Sequence, residues 1–109
     1  MIAEDDVEKA VDYLRQSARE AAQARANVRY LETYLKTLKA QLKVKETSLS
    51  NAAAEDVALS SPEFREALEG YKAAVEADAF HLFKREAAVT MIDAWRTQQS
   101  NQRGIGRVG

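Results

Sequence analysis

The sequence contains no cysteine, one proline, four glycines and one histidine among its 109 residues. The lack of cysteine excludes a disulfide framework and any thiolate metal site. No set of metal ligands is evident either, so we expect no metal and no cofactor. Gly and Pro interrupt helices, and their scarcity, with aromatic residues at only 7%, favours helix over sheet. We therefore predict a single all-α domain.

Long apolar runs are also missing. No uncharged stretch approaches the ~20 residues that a membrane-spanning helix needs. The N-terminus, Met1–Asp6, is acidic and has no apolar segment of the kind found in signal peptides. We expect a cytoplasmic protein whose partners include neither a membrane nor a small-molecule substrate.

The first half of the chain has the pattern of one long helix. Neither Gly nor Pro occurs before residue 50, and we predict a helix over about residues 4–49. Its apolar residues alternate in steps of four and three, which is typical of a coiled-coil seam. The step from Val28 to Leu31 breaks this alternation and predicts a second, rotated seam beyond it. The predicted self-association residues are Val7, Val11, Leu14, Ala18, Ala21, Leu31, Leu35, Leu38 and Leu42.

A break and a second helix follow. Residues 50–61 form the predicted connection, within which Asn51 could cap one short helical turn. Ser61, Pro62 and Glu63 supply a capping hydroxyl, a proline for the first helical position and an acid for the first turn. We predict a helix over about residues 62–99 and a flexible tail over 100–109.

Two long helices joined by a short connection predict an antiparallel hairpin. One such pair buries a single seam and leaves a thin core, which favours assembly into a helical homo-oligomer. The alternative is a monomer of three or four helices, with the first helix broken near residues 24–27. Arg25 lies on the predicted seam, where it is either paired or marks a point open to water.

Charge is distributed in blocks, although the formal net charge of the chain is only −1. Residues 25–45 contain six basic and one acidic residue, and residues 46–78 contain two basic and eight acidic residues. When the chain folds back on itself, these two blocks lie side by side. The blocks therefore favour antiparallel pairing through complementary charge.

The basic block also has a second interpretation. Tyr30 and Tyr34 lie among its cations, and grooves for single-stranded nucleic acid combine cations for phosphates with rings for bases. The polar C-terminal segment contains three more arginines, which is typical of a flexible nucleic-acid-binding arm. The candidate nucleic-acid-binding residues are Lys36, Lys39, Lys43, Lys45, Arg96, Arg103 and Arg107.

Two sequence features resemble cofactor-binding or catalytic motifs, but neither has the neighbouring elements or residues that such a site needs. Residues 104–109 match G-x-G-x-x-G, but a dinucleotide site needs a strand before it and a helix after it. His81 has an acid three residues before it but no second histidine and no evident nucleophile, so a place at the edge of the core suits it better than catalysis. Asp78 and Arg85 are better suited to fixing helix register. We predict that the protein is not an enzyme.

The second helix resembles small helical proteins of tailed bacteriophages. The resemblance lies in Glu76-Ala77-Asp78, His81, Phe83, Ile92 and Ala94-Trp95-Arg96-Thr97-Gln98, behind a first helix with Tyr30-Leu31-Glu32. The layout is similar to that of phage recombination mediators of the UvsY type. Those proteins have a long helix with a Lys-rich stretch, an interruption and a second long helix. The resemblance implies an oligomer that binds single-stranded DNA and helps to load a recombinase.

We therefore hypothesise a non-enzymatic phage-type accessory protein of DNA recombination or replication. It would be a homo-oligomer that contacts single-stranded DNA through its Lys-rich segment, with a recombination or host protein as a further partner. The alternative hypothesis is a protein-only interaction module, such as an adaptor, an assembly component or an inhibitor of a host protein. Its basis is the near-neutral charge and the complementary blocks.

Overall fold

The computed structural model describes residues 1–108, with side chains up to residue 105. The side chain of Arg107 and the whole of Gly109 lie outside the described residues. Four α-helices follow one another: α1 (Glu4–Gln16), α2 (Ala18–Val44), α3 (Asn51–Ser60) and α4 (Pro62–Val108). About 90% of the residues are helical, and the described part of the chain contains no strand. The predicted all-α class is confirmed.

The first predicted helix is interrupted at Ser17. The amide of Ser17 donates to the carbonyl oxygen of Tyr13 at 2.9 Å, and its own carbonyl oxygen accepts from the Ala21 amide at 2.9 Å. The Leu14 carbonyl, whose helical partner would be the Ala18 amide, instead accepts a hydrogen bond from Arg85 at 2.9 Å. A side chain that enters the helical hydrogen-bond ladder is a known cause of kinks and breaks. The prediction of one uninterrupted helix over residues 4–49 is therefore wrong.

The predicted connection is largely helical as well. Helix α2 ends at Val44, and α3 occupies Asn51–Ser60. The Ser50 hydroxyl accepts a hydrogen bond from the Ala53 amide at 3.2 Å, so Ser50 rather than Asn51 is the cap. Buried Ala54 and Ala58 hold α3 in place by packing. The sequence predicted only one turn here because the segment has little hydrophobic periodicity.

Helix α4 begins where the sequence predicted and ends later. The Ser61 hydroxyl accepts a hydrogen bond from the Phe64 amide at 3.1 Å, and Pro62 is the first helical residue. The helix then continues to Val108, through the segment predicted to be a flexible tail. No described glycine has a positive φ angle. A glycine in a helix costs only about 1 kcal/mol relative to alanine, so Gly104 does not end α4.

The chain divides into two compact units: unit 1 contains Met1–Ala21 and the chain from Ala79 onward, and unit 2 contains Ala22–Asp78. The core of unit 2 consists of Leu38, Leu42, Ala58 and Phe64. The buried residues of unit 1 are Val7, Ala10, Ser17 and Ala88. Among the described residues, no large side chain is fully buried. Both cores are therefore thin, as the sequence led us to expect.

Between Val7 and Leu42, every buried residue and most half-buried residues follow one unbroken alternation of three and four residues. They are Val7, Ala10, Leu14, Ser17, Ala21, Ala24, Val28, Leu31, Leu35, Leu38 and Leu42. Val11, Ala18 and Arg25, which the sequence placed on the seam, are exposed. The rotation predicted between Val28 and Leu31 is therefore wrong. It arose because Val11 was assigned to the seam in place of its smaller neighbour Ala10.

The inward face of α4 follows the same alternation and includes three polar residues. Its positions are Phe64, Ala67, Tyr71, Ala74, Asp78, His81, Arg85, Ala88, Ile92 and Trp95. Beside this face runs a second row of apolar residues, which we call the outer stripe. The outer stripe consists of Leu68, Val75, Leu82 and Val89, with exposed fractions of 42%, 41%, 39% and 46%.

Candidate functional site

Lys39, one of the predicted nucleic-acid contacts, forms an ion pair with an acidic residue of unit 2. Its Nζ atom lies 3.0 Å from Oε1 of Glu55 on α3, and both side chains are half-buried. The hydrogen bond from Lys39 lowers the pKa of Glu55, and the charges of Lys39 and Lys43 lower it further. A lysine in this position supports the fold and is less available to a phosphate.

Two further contacts in unit 2 join α2 to α4. Arg25 Nε lies 3.6 Å from Oδ1 of Asp78. The Tyr71 hydroxyl donates a 3.0 Å hydrogen bond to Glu32, which raises the pKa of Tyr71, with burial and the charge of Glu32 adding to the effect. Arg25 is thus paired, which was one of the two outcomes expected for it. The contact between Arg25 and Asp78 favours complementary charge as the purpose of the blocks.

The lysines and tyrosines of the basic block do not share a face. Tyr30 and Tyr34 stack with ring centroids 6.3 Å apart and are 68% and 41% exposed. At about 100° per residue, Tyr34 and Lys36 point to nearly opposite sides of α2. Lys45 lies beyond the end of α2 at Val44. The structure therefore does not combine these residues into the predicted groove of cations and rings.

The C-terminal arginines, in contrast, do lie beside an aromatic ring. A shallow groove of about 370 Å³ in unit 1 is lined by Trp95, Arg96, Gln99 and Arg103. Arg96 is largely exposed, and its only ion-pair contact among the described residues is a long one, 4.0 Å from Asp93. The sequence predicted Arg96 and Arg103 as contacts but not Gln99. Gln99 lies one helical turn from Trp95 and contributes a neutral amide. A planar ring, two cations and an amide can contact an anionic, ring-containing ligand.

The predicted self-association seam is used within the chain. Val7, Leu38 and Leu42 are buried against residues of the same chain, and most other seam residues are half-buried. Of the nine predicted residues, Val11 and Ala18 are the exposed ones. The outer stripe of α4 is, by comparison, an apolar row that stays about two-fifths exposed.

His81 lies on the inward face of α4. Its Nδ1 atom is buried and has no hydrogen-bond partner, and the edge of its ring meets Phe80 with centroids 5.9 Å apart. Within residues 1–108, no group of three or more His, Cys, Asp or Glu side chains could hold a metal ion. Across the same range, no helix is both long and apolar enough to cross a membrane.

Comparison with protein-family models, curated proteins and solved structures gives no match to this chain. The similarity in layout to phage recombination mediators therefore stays a hypothesis.

The ion pair between Lys39 and Glu55 predicts an acid-dependent part of the stability. Because folding lowers the pKa of Glu55, the pair contributes fully above the ordinary value of 4.5. Its contribution is lost as the pH falls from 4.5 through the lowered value of the folded state. Urea unfolding at pH 7 should show Glu55→Gln to be less stable than the parent protein, and the difference should shrink as the pH is lowered towards 3.

Asp56→Asn is the matched control for this experiment. Asp56 is exposed on the same helix and forms no salt bridge among the described residues, so its substitution removes a similar charge without touching Lys39. If Asp56→Asn and Glu55→Gln gave the same dependence on pH, the assigned ion pair would be contradicted.

Proposed function

We propose that the protein is a non-enzymatic helical module for protein–protein interaction. The observation that carries this proposal is the contrast between its charges and its apolar surface. Lys39 and Arg25 of the basic block are engaged with Glu55 and Asp78 of the same chain. The outer stripe of α4, by comparison, is exposed. A module of this kind uses its charge blocks to organise its own helices and offers an apolar face to a partner.

An antiparallel hairpin is the scaffold in this proposal. In unit 1, Ile2 and Gln98 exchange hydrogen bonds of 3.2 Å, while Ser17 contacts Arg85 at 2.7 Å. In unit 2, Arg25 contacts Asp78 and Glu32 contacts Tyr71. In each unit, residues later in the N-terminal half meet residues earlier in α4. This order of contacts supports opposite chain directions within each unit.

Binding of single-stranded nucleic acid is the second candidate function. The groove formed by Trp95, Arg96, Gln99 and Arg103 favours it. Lys36 and Lys45 are exposed and form no salt bridge within the described residues. On this interpretation, the protein is an oligomeric phage-type accessory factor of DNA recombination or replication, with a recombination or host protein as a further partner.

Titration of a fluorescently labelled single-stranded oligonucleotide with the full chain separates the two candidates. The interaction module predicts no increase in anisotropy at low salt. The nucleic-acid-binding protein predicts binding that weakens as salt rises, because phosphate contacts release counterions. It also predicts weaker binding on substitution of Arg96→Gln together with Arg103→Gln. Salt-dependent binding that requires these arginines would overturn the first proposal.

Reversal of a lysine charge provides the complementary measurement. Lys39→Glu should lower the urea midpoint, since it places two acids next to each other at Glu55. Lys36→Glu is the control, because Lys36 is exposed and without a salt bridge in the described part of the chain. A surface devoted to nucleic acid would tolerate both substitutions equally in the absence of an oligonucleotide. Equal midpoints would therefore count against a scaffold role for the basic block.

A further inference from the structure

One exposed face of α2 in unit 2 carries no charge. The residues that directly precede the inward positions of α2 form what we call the tyrosine row. They are all exposed and uncharged: Gln23, Asn27, Tyr30, Tyr34, Thr37 and Gln41. The residues that directly follow the inward positions are, in contrast, all charged: Arg25, Arg29, Glu32, Lys36, Lys39 and Lys43. Interfaces are depleted of charge and enriched in tyrosine at their centre, so the tyrosine row has the composition of a docking surface.

Helix α4 has a row of mostly small residues within unit 2, which we call the small row. It consists of the residues that directly precede the inward positions of α4: Glu63, Glu66, Gly70, Ala73 and Ala77. All of them are exposed. A Cβ atom placed on Gly70 would meet no neighbouring side chain within 4 Å, so the space beside the small row is open.

The tyrosine row and the small row lie on the same side of unit 2. Arg25 contacts Asp78 and Glu32 contacts Tyr71, which supports antiparallel directions for α2 and α4. In an antiparallel pair of right-handed helices, the residues that precede the inward positions project to the same side of both helices. The two contacts also set the levels along the pair. Each step up α2 is a step down α4, so Tyr30 is level with Ala73.

We propose that a second copy of this chain covers both rows, forming a dimer in which the tyrosine row of each copy packs on the small row of the other. The two-fold axis runs parallel to α2 and α4. Rotation about such an axis leaves every residue at its own level, so the levels within one chain also apply between the two chains. The dimer is a four-helix arrangement in which α2 is antiparallel to α4 of both copies. Every residue of this interface belongs to unit 2, Ala22–Asp78.

The two rows are complementary in size. The dimer places Tyr30 opposite Ala73 of the second copy and Tyr34 opposite Gly70 of the second copy. The two rings stack with centroids 6.3 Å apart and are 68% and 41% exposed in the single chain. The small residues opposite them leave room for both rings, which the dimer therefore removes from water.

The charges beside the two rows favour a second copy as the partner. Arg29 and Lys36 flank the tyrosine row, and Glu69 and Glu76 flank the small row. All four are exposed and form no salt bridge within the described residues. The dimer places Arg29 beside Glu76 of the second copy and Lys36 beside Glu69 of the second copy, and each pair occurs twice. This chain thus supplies both members of each pair.

An exchange of side-chain size tests this arrangement on the full chain. Tyr30→Ala and Ala73→Tyr should each weaken the dimer about tenfold or more, because each change empties or overfills two contacts. The double variant exchanges the large and the small side chain and refills both contacts. Its dissociation constant should return to within about threefold of that of the parent protein. Sedimentation equilibrium over a range of protein concentrations measures these constants.

Val75→Tyr is the matched control for Ala73→Tyr. Val75 belongs to the outer stripe, on the opposite side of α4, so a ring added there should leave the dissociation constant unchanged. A second exchange, Arg29→Glu with Glu76→Arg, should give a smaller loss in each single variant and a recovery in the double variant. Circular dichroism of each variant confirms that the helices are intact.

Each outcome supports or overturns the dimer. A parent protein that stays monomeric at all concentrations overturns it, and so do single variants that dimerise like the parent protein. A double variant no tighter than the single variants, or a control as weak as Ala73→Tyr, also overturns it. The proposed function is tested separately by the oligonucleotide titration, since the outer stripe lies outside this interface. Urea comparisons that involve Lys36 are made below the dissociation constant, where the chain is monomeric.

Discussion

Replacement of Phe64 with alanine is expected to lower the free energy of unfolding of unit 2 by about 3–5 kcal/mol. Phe64 is only 7% exposed and packs with Leu38, Leu42 and Ala58. Its removal leaves a cavity that this small cluster cannot refill. Since a domain of this size has a total stability of about 5–15 kcal/mol, the variant should unfold at much lower urea concentrations. Circular dichroism in the far ultraviolet measures the shift.

Phe83→Ala is the matched control for this prediction. Phe83 lies on the same helix but is 65% exposed, so the same substitution should change the stability by no more than about 0.5 kcal/mol. Similar losses for the two variants would mean that Phe64 does not occupy the centre of the core. The comparison keeps the chemical change constant and varies only the environment.

Arg85→Met should lower the free energy of unfolding of unit 1 by about 2 kcal/mol. The guanidinium of Arg85 donates to the Leu14 carbonyl at 2.9 Å and to the Ser17 hydroxyl at 2.7 Å, and hydrogen bonds to charged groups contribute about 1.5–3 kcal/mol. Methionine keeps much of the length but donates no hydrogen bond. Trp95 is the single tryptophan and belongs to unit 1, so its fluorescence during urea unfolding follows the loss.

A double-mutant cycle with Ser17→Ala makes this prediction specific. In the presence of Arg85, Ser17→Ala should cost less than Arg85→Met, because the bond to the Leu14 carbonyl remains. In the Arg85→Met background, Ser17→Ala should cost almost nothing. Strictly additive losses would show that the two side chains act independently. Arg96→Met, at a largely exposed arginine of the same helix, should leave the unfolding curve nearly unchanged.

Composition and local signals were sufficient to predict the helical class and the start of α4. The hydroxyl of Ser61 and the ring of Pro62 act through residues close by in the sequence, so their effect needs no knowledge of the fold. The charge blocks likewise indicated that residues 25–45 would meet residues 46–78. They did not indicate that Lys39, rather than Lys43, would form the ion pair with Glu55, because that choice depends on the placement of α3.

The inward face of α1 could have been predicted from the sequence, but the larger apolar side chains were given too much weight. Val11 is larger than Ala10, and a search for apolar residues selects valine first. Choosing Ala10, Ser17 and Ala24 gives an unbroken alternation from Val7 to Leu42, with no skip before Leu31. Continuity of the repeat was a better guide than the size of single side chains, since the buried face of a helix recurs every three or four residues.

The break at Ser17 was beyond the reach of local reasoning. The residues from Gln16 to Arg19 contain neither Gly nor Pro, and nothing among them ends a helix. The partner of the Leu14 carbonyl is Arg85, which is 71 residues away in the sequence. The groove at Trp95 was missed for a different reason: Arg103 reaches it only because α4 continues past the polar residues at 100–102.

The unequal cores of the two units have a consequence for cooperativity. Unit 2 buries two leucines and a phenylalanine, whereas the buried residues of unit 1 are one valine, two alanines and a serine. Local opening is easiest where little apolar area is buried, so unit 1 can open while unit 2 stays closed. We therefore expect unfolding in at least two steps, for which no single transition temperature describes the whole chain. We expect the N-terminal helix to be released first.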